Sequence, residues 1–262
     1  MSTIFKYEAR RRTFGTVVLL VLLALYLLLI IALFPSIEAA SGAMEEYAQA
    51  LPPAVQESFA VDAIGTIEGF LAAEVYQFVW VLLLGLYLAY IGGGMVASDL
   101  ETGRIDLLLA TPVSRKRAIV ETYLSTLVPI VALNVVMPVV LLGGLVLIDQ
   151  SLSTQNLLAL HLFSIPYLLL TAAIGLALSV GFRRADLAQR GGLALIFMLF
   201  ILDSVTAGTD VEWLGAVSPT RYYSPADILV DGILDVGGAV VLLVAAFVLV
   251  VASAEYFQRM DV

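Results

Sequence analysis

Residues 14–34 read FGTVVLLVLLALYLLLIIALF, a run of 21 residues without a charge. A helix needs roughly 20 mostly apolar residues to cross the hydrocarbon core of a bilayer. The run is also longer than the roughly 7–15 apolar residues at the centre of a secretory signal peptide. It therefore predicts a retained membrane-spanning helix rather than a cleaved signal.

The rest of the chain has the same character. Of its 262 residues, 61% are hydrophobic and 13% are charged, which is about half the roughly 25% of charged residues in soluble domains. Five further apolar stretches are long enough to cross a membrane. The six predicted spans are residues 14–34, 75–97, 118–148, 157–182, 191–208 and 236–254. We expect an all-α integral membrane protein with a single transmembrane domain over residues 1–262.

The basic residues alternate between loops. Twelve of the 13 Lys and Arg residues fall in the N-terminal segment, the second loop, the fourth loop and the C-terminal tail. Six spans place these four regions on one face of the membrane. Because cytoplasmic loops carry an excess of Lys and Arg, we expect both termini to be cytoplasmic and the protein to reside in the cell membrane.

The first outer segment, residues 35–74, contains two stretches with apolar residues at helical spacing, 44–51 and 54–60. Pro52 and Pro53 separate them, since proline removes a backbone donor and disfavours helix for the residue before it. We expect a short helical hairpin at the membrane interface. A solvated acidic loop is the alternative.

The second outer segment, residues 209–235, combines aromatic residues with prolines. Trp213, Tyr222 and Tyr223 fit an aromatic belt at the outer membrane interface. Pro219 and Pro225 interrupt helical structure, which allows the segment to dip into the membrane and return.

Several kinds of chemistry lack their usual residues. The chain has no Cys and one His, and neither of its Lys residues follows a glycine, so it contains no P-loop. We therefore expect no catalytic, metal or cofactor site in this chain. The net charge of −9 argues against a nucleic-acid partner. The acid-rich, lysine-poor composition is compatible with a high-salt organism.

A few polar residues fall within predicted spans, where a charge is costly and usually has a partner or a function. Asp203, Glu74 and His161 lie near outer span ends, so interfacial solvation and a place in a translocation path are both open. Asn134 lies deeper, and interhelical hydrogen bonding is its expected role. The candidate path or outer-gate residues are Asp203, Asn134, Trp213, Tyr222 and Tyr223.

The second loop, residues 98–117, reads SDLETGRIDLLLATPVSRKR and places three leucines among basic residues. Gly103 permits a turn, and Pro112 ends the short apolar helix that follows. Glu121 in the next span can pair with Arg117 at a spacing of four residues. The leucines are too few to cross a membrane. The short helix either lies on lipid or fills a groove in a cytoplasmic partner.

The pattern E-x-G-x-x-x-L-L-L-A-T-P-V-S-R at residues 101–115 resembles the coupling segment of ABC transporter permeases of type 2. Four weaker features are similar in order and spacing: the basic N-terminus, Leu51-Pro52 in the first outer segment, W-L-x-x-V-S-P at residues 213–219, and F-x-R-x-D at residues 257–261. Together these features extend over essentially the whole chain.

The resemblance implies a six-span permease that pairs with a second copy or a paralogue, with the first span and the outer half of the fifth at the interface. It also implies two copies of a separate ATP-binding subunit, which would hold ATP and Mg²⁺, and a surrounding of membrane lipid. A short coupling helix would dock into that subunit, with leucines packing and charges fixing the orientation. The docking residues implied are Glu101, Gly103, Arg104, Leu107, Leu108, Leu109, Thr111, Pro112, Ser114 and Arg115.

The sequence thus favours the permease subunit of an ATP-driven exporter. An ATP-independent secondary transporter or channel is the alternative, and it predicts intramembrane ion ligands, which this chain barely has. A membrane anchor that recruits cytoplasmic proteins through residues 98–117 is a third interpretation, and it predicts no translocation path.

Overall fold

The computed structural model describes residues 3–39, 65–104 and 113–260. Within these ranges, six helical runs are long and apolar enough to cross a membrane. They are Ile4–Glu38, Ile67–Glu101, Arg115–Val146, Thr154–Phe182, Ala185–Thr206 and Val236–Gln258, called here the first to the sixth span. The predicted all-α membrane architecture with six spans is confirmed.

The first helix, Thr3–Glu38, begins well before the apolar run from which it was predicted. Its 36 residues correspond to a length of about 54 Å at a rise of about 1.5 Å per residue. The hydrocarbon core of a bilayer is only about 30 Å thick. The basic N-terminal turns of this helix therefore extend beyond the hydrocarbon core.

The second span changes its helical geometry along its length. An α-helical turn, Ile67–Leu71, leads into a π-helical stretch, Ala72–Leu83, and α-helix resumes at Leu84–Gly94. A short helix, Ala97–Glu101, completes the span. Nothing in the sequence pattern predicted the π-helical stretch, which is a rare geometry that is frequently found at functional sites.

The third span consists of two helices, Arg115–Leu124 and Leu127–Val146. The break between the two helices does not fall at either proline of the span. Pro129 lies in the first turn of the second helix, where a missing N–H costs little because the first N–H groups have no intrahelical partner. Pro138 lies within the second helix.

The second and fourth spans form the centre of the bundle, since each buries more than half of its most apolar stretch. They approach each other closely at Gly92 and Gly175. A Cβ atom at Gly175 would collide with the carbonyl oxygen of Ala89, and one at Gly92 would collide with that of Ala172. The first, fifth and sixth spans leave most of their apolar side chains at the surface, as expected for lipid-facing helices.

The two ends of the bundle differ. One end, called here the basic end, holds the N-terminal helical turns, the C-terminal end of the sixth span and both stems of the second loop. The other end, called the acidic end, carries three short helices after the fifth span: Glu212–Val217, Pro219–Tyr222 and Pro225–Leu229. The predicted outer hairpin at residues 44–51 and 54–60 lies outside the described residues.

Candidate functional site

The second loop is described at its two stems, residues 98–104 and 113–117. Gly103 has a φ of +69°, a left-handed conformation that glycine adopts without strain, so the predicted turn is present. The centre of the docking segment lies outside the described residues, and with it Leu107, Leu108, Leu109, Thr111 and Pro112. What the structure adds is where the stems are attached.

The entering stem ends in a cluster of four charges that joins it to the first helix. Arg104 approaches Asp99 at 3.4 Å and Glu8 at 3.5 Å, and Arg11 approaches the same two carboxylates at 3.9 and 3.7 Å. The Arg104 guanidinium also lies over the ring of Tyr7, 5.8 Å from its centre. Both carboxylate side chains are only 4% exposed. Buried carboxylates are costly unless paired, so the two arginines stabilise both acids.

Glu101 attaches the same stem to the fifth span. Its Oε1 accepts a hydrogen bond of 3.0 Å from the backbone N–H of Ala185, the first residue of that helix. Arg184, the N-cap residue, makes no side-chain capping bond. Glu101 therefore satisfies one of the N–H groups that a helix start leaves without an intrahelical partner. A carboxylate at this position is also favoured by the helix dipole.

The exit stem is attached to the sixth span. Arg115 donates from Nη1 to the backbone carbonyl of Met260 at 2.6 Å. Its neighbour Lys116 forms an ion pair with Glu255 on the last turn of the sixth span. The exit stem is therefore held against the C-terminal end of the sixth span and the residues that follow it.

The helix that follows the loop begins at a conventional cap. The Ser114 side chain accepts a hydrogen bond from the backbone N–H of Arg117. The predicted pairing of Arg117 with Glu121 is confirmed, with Nε and Oε1 2.8 Å apart. Glu121 Oε2 also accepts from the backbone N–H of Phe5, which brings the N-terminal turns onto the third span.

Glu8 and Asp99 are members of this site that sequence reasoning missed. Glu8 is the only acid among the basic residues of the N-terminal segment, and that isolation was the available signal. The partners of Glu101, Arg104 and Arg115 are within this chain, although the resemblance implied that these charges orient a docked subunit. Their role toward a partner stays a prediction.

A cluster of polar side chains is buried between the second, third and fourth spans. Asn134 Oδ1 accepts from His161 Nδ1 at 3.0 Å and from Ser164 Oγ at 2.8 Å. The other ring nitrogen of His161 lies 3.1 Å from the hydroxyl of Tyr76. The ring of Trp80 packs edge-on against His161, with 4.9 Å between ring centres. The interhelical hydrogen bonding expected of Asn134 is confirmed.

The interpretation that His161 is solvated at the membrane interface was wrong. The side chain faces the second and third spans, two turns inside its own helix, and the residue is only 3% exposed. Helical position alone placed it near a span end, but the direction of the side chain decides its access to water. Glu74 is half-buried.

Asp203 joins the fifth span to the segment at the acidic end. Its Oδ2 accepts from the hydroxyl of Thr220 at 2.5 Å, and that hydroxyl lies 2.7 Å from the side chain of Ser218. Tyr222 in the same segment donates to the carbonyl of Ala216 at 2.7 Å. The W-L-x-x-V-S-P motif therefore folds into short helical turns, and Thr220, which follows it directly, binds Asp203.

Tyr223 is buried in the same segment. Its ring stacks on Tyr167 with 5.7 Å between centres, and its hydroxyl donates to the carbonyl of Leu160 at 3.2 Å. Burial raises the pKa of Tyr223 well above its ordinary value, so the hydroxyl remains protonated and able to donate. Trp213 is 72% exposed, as expected for an aromatic residue at a membrane interface.

The five candidate path residues thus occupy different places. Asp203, Tyr222 and Tyr223 come together through the segment at the acidic end, with Trp213 on its exposed side. Asn134 belongs to the buried cluster between spans. Their assignment to a path or an outer gate stays a prediction.

The sequence of residues 2–262 matches a protein family described as "ABC-2 family transporter protein". No curated protein and no solved structure matches the chain. The family match covers nearly the whole chain, including the six spans and both stems of the second loop. The chain therefore belongs to the ABC-2 family of transporter proteins.

Proposed function

We propose that this chain is the transmembrane permease subunit of an ATP-driven exporter, and that it forms the translocation path together with a second copy or a paralogue. Its family makes it a multi-pass membrane protein and a permease component of an ABC transporter, a class that works with an ATP-binding subunit. In this proposal the basic end faces the cytoplasm, in keeping with the excess of Lys and Arg in cytoplasmic loops.

The observation that carries the proposal is the attachment of the second loop. Its entering stem binds the first helix through Arg104 and the fifth span through Glu101, and its exit stem binds the sixth span through Arg115. A force applied to residues 105–112 would reach three further spans besides the two that the loop connects. A docking element that drives a conformational change needs such rigid attachments.

The nucleotide belongs to the partner in this proposal. The chain has no P-loop sequence, so ATP and Mg²⁺ would be held by two copies of the ATP-binding subunit. Closure of the two subunits on ATP would push the paired second loops together. The first and fifth spans, which bury little of their apolar surface, supply faces that a second permease chain would cover.

The test is co-purification in detergent with the ATP-binding protein encoded beside this gene, comparing the native chain with Leu108→Asp. Burial of an unpaired carboxylate in an apolar groove costs several kcal/mol, so the substitution is expected to abolish a micromolar complex. Leu234→Asp is the matched control, because Leu234 is an exposed leucine at the acidic end.

Three outcomes are distinguishable. Capture of the ATPase by the native chain and by Leu234→Asp, but not by a folded Leu108→Asp, supports the proposal. Capture by all three chains means that the leucines lie on lipid and that docking occurs elsewhere. If none of them captures the ATPase, the secondary-transporter or channel interpretation takes precedence.

A further inference from the structure

A groove with a cavity of about 270 Å³ opens at the basic end between the first and second spans. One wall is a single face of the first helix, formed by Glu8, Arg11, Arg12, Gly15 and Thr16. These positions follow one another at intervals of three, one, three and one residues, which places all five residues on the same side of a helix.

The floor of the groove is one face of the second span, with Tyr87, Tyr90, Gly94 and Ser98 among its residues. Gln189 of the fifth span also lines the groove. The groove therefore combines tyrosine rings with hydrogen-bonding groups.

The charge balance of the groove favours an anion. Three arginines, Arg11, Arg12 and Arg104, meet two carboxylates, Glu8 and Asp99, in and beside it. One positive charge is therefore in excess.

Arg12 supplies donors for that anion. A guanidinium has five N–H donors, and the one side-chain hydrogen bond of Arg12 within the described residues runs from Nε to Ser125 Oγ at 2.7 Å. Most of its donors therefore remain for a bound group.

The two walls continue into the hydrocarbon as exposed apolar strips. Above Gly15, the side of the first helix next to this face presents Val18, Leu22 and Leu25, which are 41%, 59% and 61% exposed. One turn along the second span from Tyr87 lies Leu83, which is 45% exposed. A molecule bound in the groove would meet charged groups at one end and lipid-facing apolar surface at the other.

We propose that this groove binds an anionic phospholipid from the leaflet at the basic end. The phosphate would lie on Arg11 and Arg12, and an acyl chain would follow Val18, Leu22 and Leu83. Basic pockets between membrane helices at the cytoplasmic side are suited to acidic head groups, and arginine binds phosphate with two parallel hydrogen bonds. The site lies in this chain alone and does not depend on an ATP-binding partner.

The test measures lipid retention by native mass spectrometry on the full chain, purified in a neutral detergent. Dioleoylphosphatidylglycerol and dioleoylphosphatidylcholine are added separately at the same concentrations. We expect one tightly retained phosphatidylglycerol per chain. The double variant Arg11→Gln, Arg12→Gln should retain it at least about tenfold less, in line with the loss of charge-assisted hydrogen bonds. Arg10→Gln is the control, because Arg10 is exposed and does not line the groove.

A second variant leaves every charge in place. Gly15→Leu places a side chain in the groove, since a Cβ at Gly15 meets only the Tyr87 hydroxyl at 3.9 Å. Its matched control is Gly143→Leu, at a surface position where nothing lies within 4 Å of a Cβ. We expect Gly15→Leu to lose the bound phosphatidylglycerol and Gly143→Leu to keep it.

Three results would overturn the proposal. Equal retention of the two lipids would show ordinary annular lipid, and unchanged phosphatidylglycerol retention in Gly15→Leu would place that lipid elsewhere. Displacement of the lipid by millimolar inorganic phosphate would show that the groove recognises a free anion instead. Because the measurement uses no ATPase, its failure leaves the proposed function standing, and the co-purification result does not decide it.

Discussion

The charge cluster at the entering stem of the second loop can be tested as an interaction energy between Asp99 and Arg104, the two members of the cluster that lie in the stem itself. The perturbations are Asp99→Asn, Arg104→Gln and the double variant, in which each substitution removes a charge and leaves a polar side chain in its place. Asp99 Oδ1 lies 3.4 Å from Arg104 Nη1, and the carboxylate is almost fully buried. Glu8 and Arg11 complete the cluster and remain in all three variants.

The magnitude follows from the distance and the exposure. At an effective dielectric constant of about 20, unit charges 3.4 Å apart attract by about 5 kcal/mol. Desolvation of the buried carboxylate offsets most of this attraction. Arg104 is 28% exposed and also contacts Glu8, so it keeps one partner when Asp99 is neutralised. We therefore expect a coupling energy of about 1–2 kcal/mol from the double-mutant cycle.

Equilibrium unfolding in mixed detergent micelles measures this energy. The chain has two tryptophans, of which Trp80 is buried and Trp213 is exposed. The change in tryptophan fluorescence when Trp80 becomes exposed therefore reports unfolding. Each single variant should unfold more easily by about 1–3 kcal/mol, and the double variant by less than the sum of the two. Lys116→Gln, in the exit stem, is the control and should be additive with Asp99→Asn.

A coupling energy below about 0.3 kcal/mol, which is within the usual error of additivity, would refute the reasoning. The contact between Asp99 and Arg104 would then contribute little to the cluster, in which Arg104 also contacts Glu8. The functional consequence is separate: Asp99→Asn should still bind the ATP-binding subunit, because Asp99 is buried away from the loop surface. The variant permease should change the rate of ATP hydrolysis by that subunit less than the native permease does.

Two further predictions concern the bundle itself. Asn134→Leu removes two interhelical hydrogen bonds and should lower the free energy of unfolding, measured in the same micelle assay, by about 1–2 kcal/mol. Adding His161→Phe to this variant should lower it only a little more. Full additivity of the two substitutions would contradict this. Gly175→Ala drives a methyl group into the carbonyl of Ala89 and should destabilise by about 1–3 kcal/mol, whereas Gly181→Ala, with open space around it, should be neutral or slightly stabilising; equal effects would contradict the close approach.

Local sequence patterns predicted the spans and the contacts that depend on sequence spacing. A run such as residues 14–34 has few alternatives to a membrane helix, since the bilayer requires every backbone group to be paired internally. The pairing of Arg117 with Glu121 follows from their separation by four residues. Asn134 was recognisable because a deep polar side chain in a span needs a partner.

Contacts between distant segments could not be predicted in this way. Glu8 and Arg104 are 96 residues apart in the sequence, and nothing local indicates that they meet. The sequence placed His161 correctly along its helix, but a helix with apolar residues on all sides does not reveal which side faces the interior. The π-helical stretch Ala72–Leu83 has an apolar composition that an ordinary α-helix would equally accept.

The two ends of the second loop are attached to opposite ends of the chain, and this bears on how coupling would work. The N-terminal helix holds the entering stem through Glu8, and the last turn of the sixth span holds the exit stem through Glu255. A displacement of residues 105–112 would therefore shift the first and sixth spans together. The first helix also forms one wall of the groove beside Arg11 and Arg12, so the same displacement would change the width of that groove. An occupant of the groove and a partner on the loop would then act on one rigid element, each altering the other's affinity by the same factor.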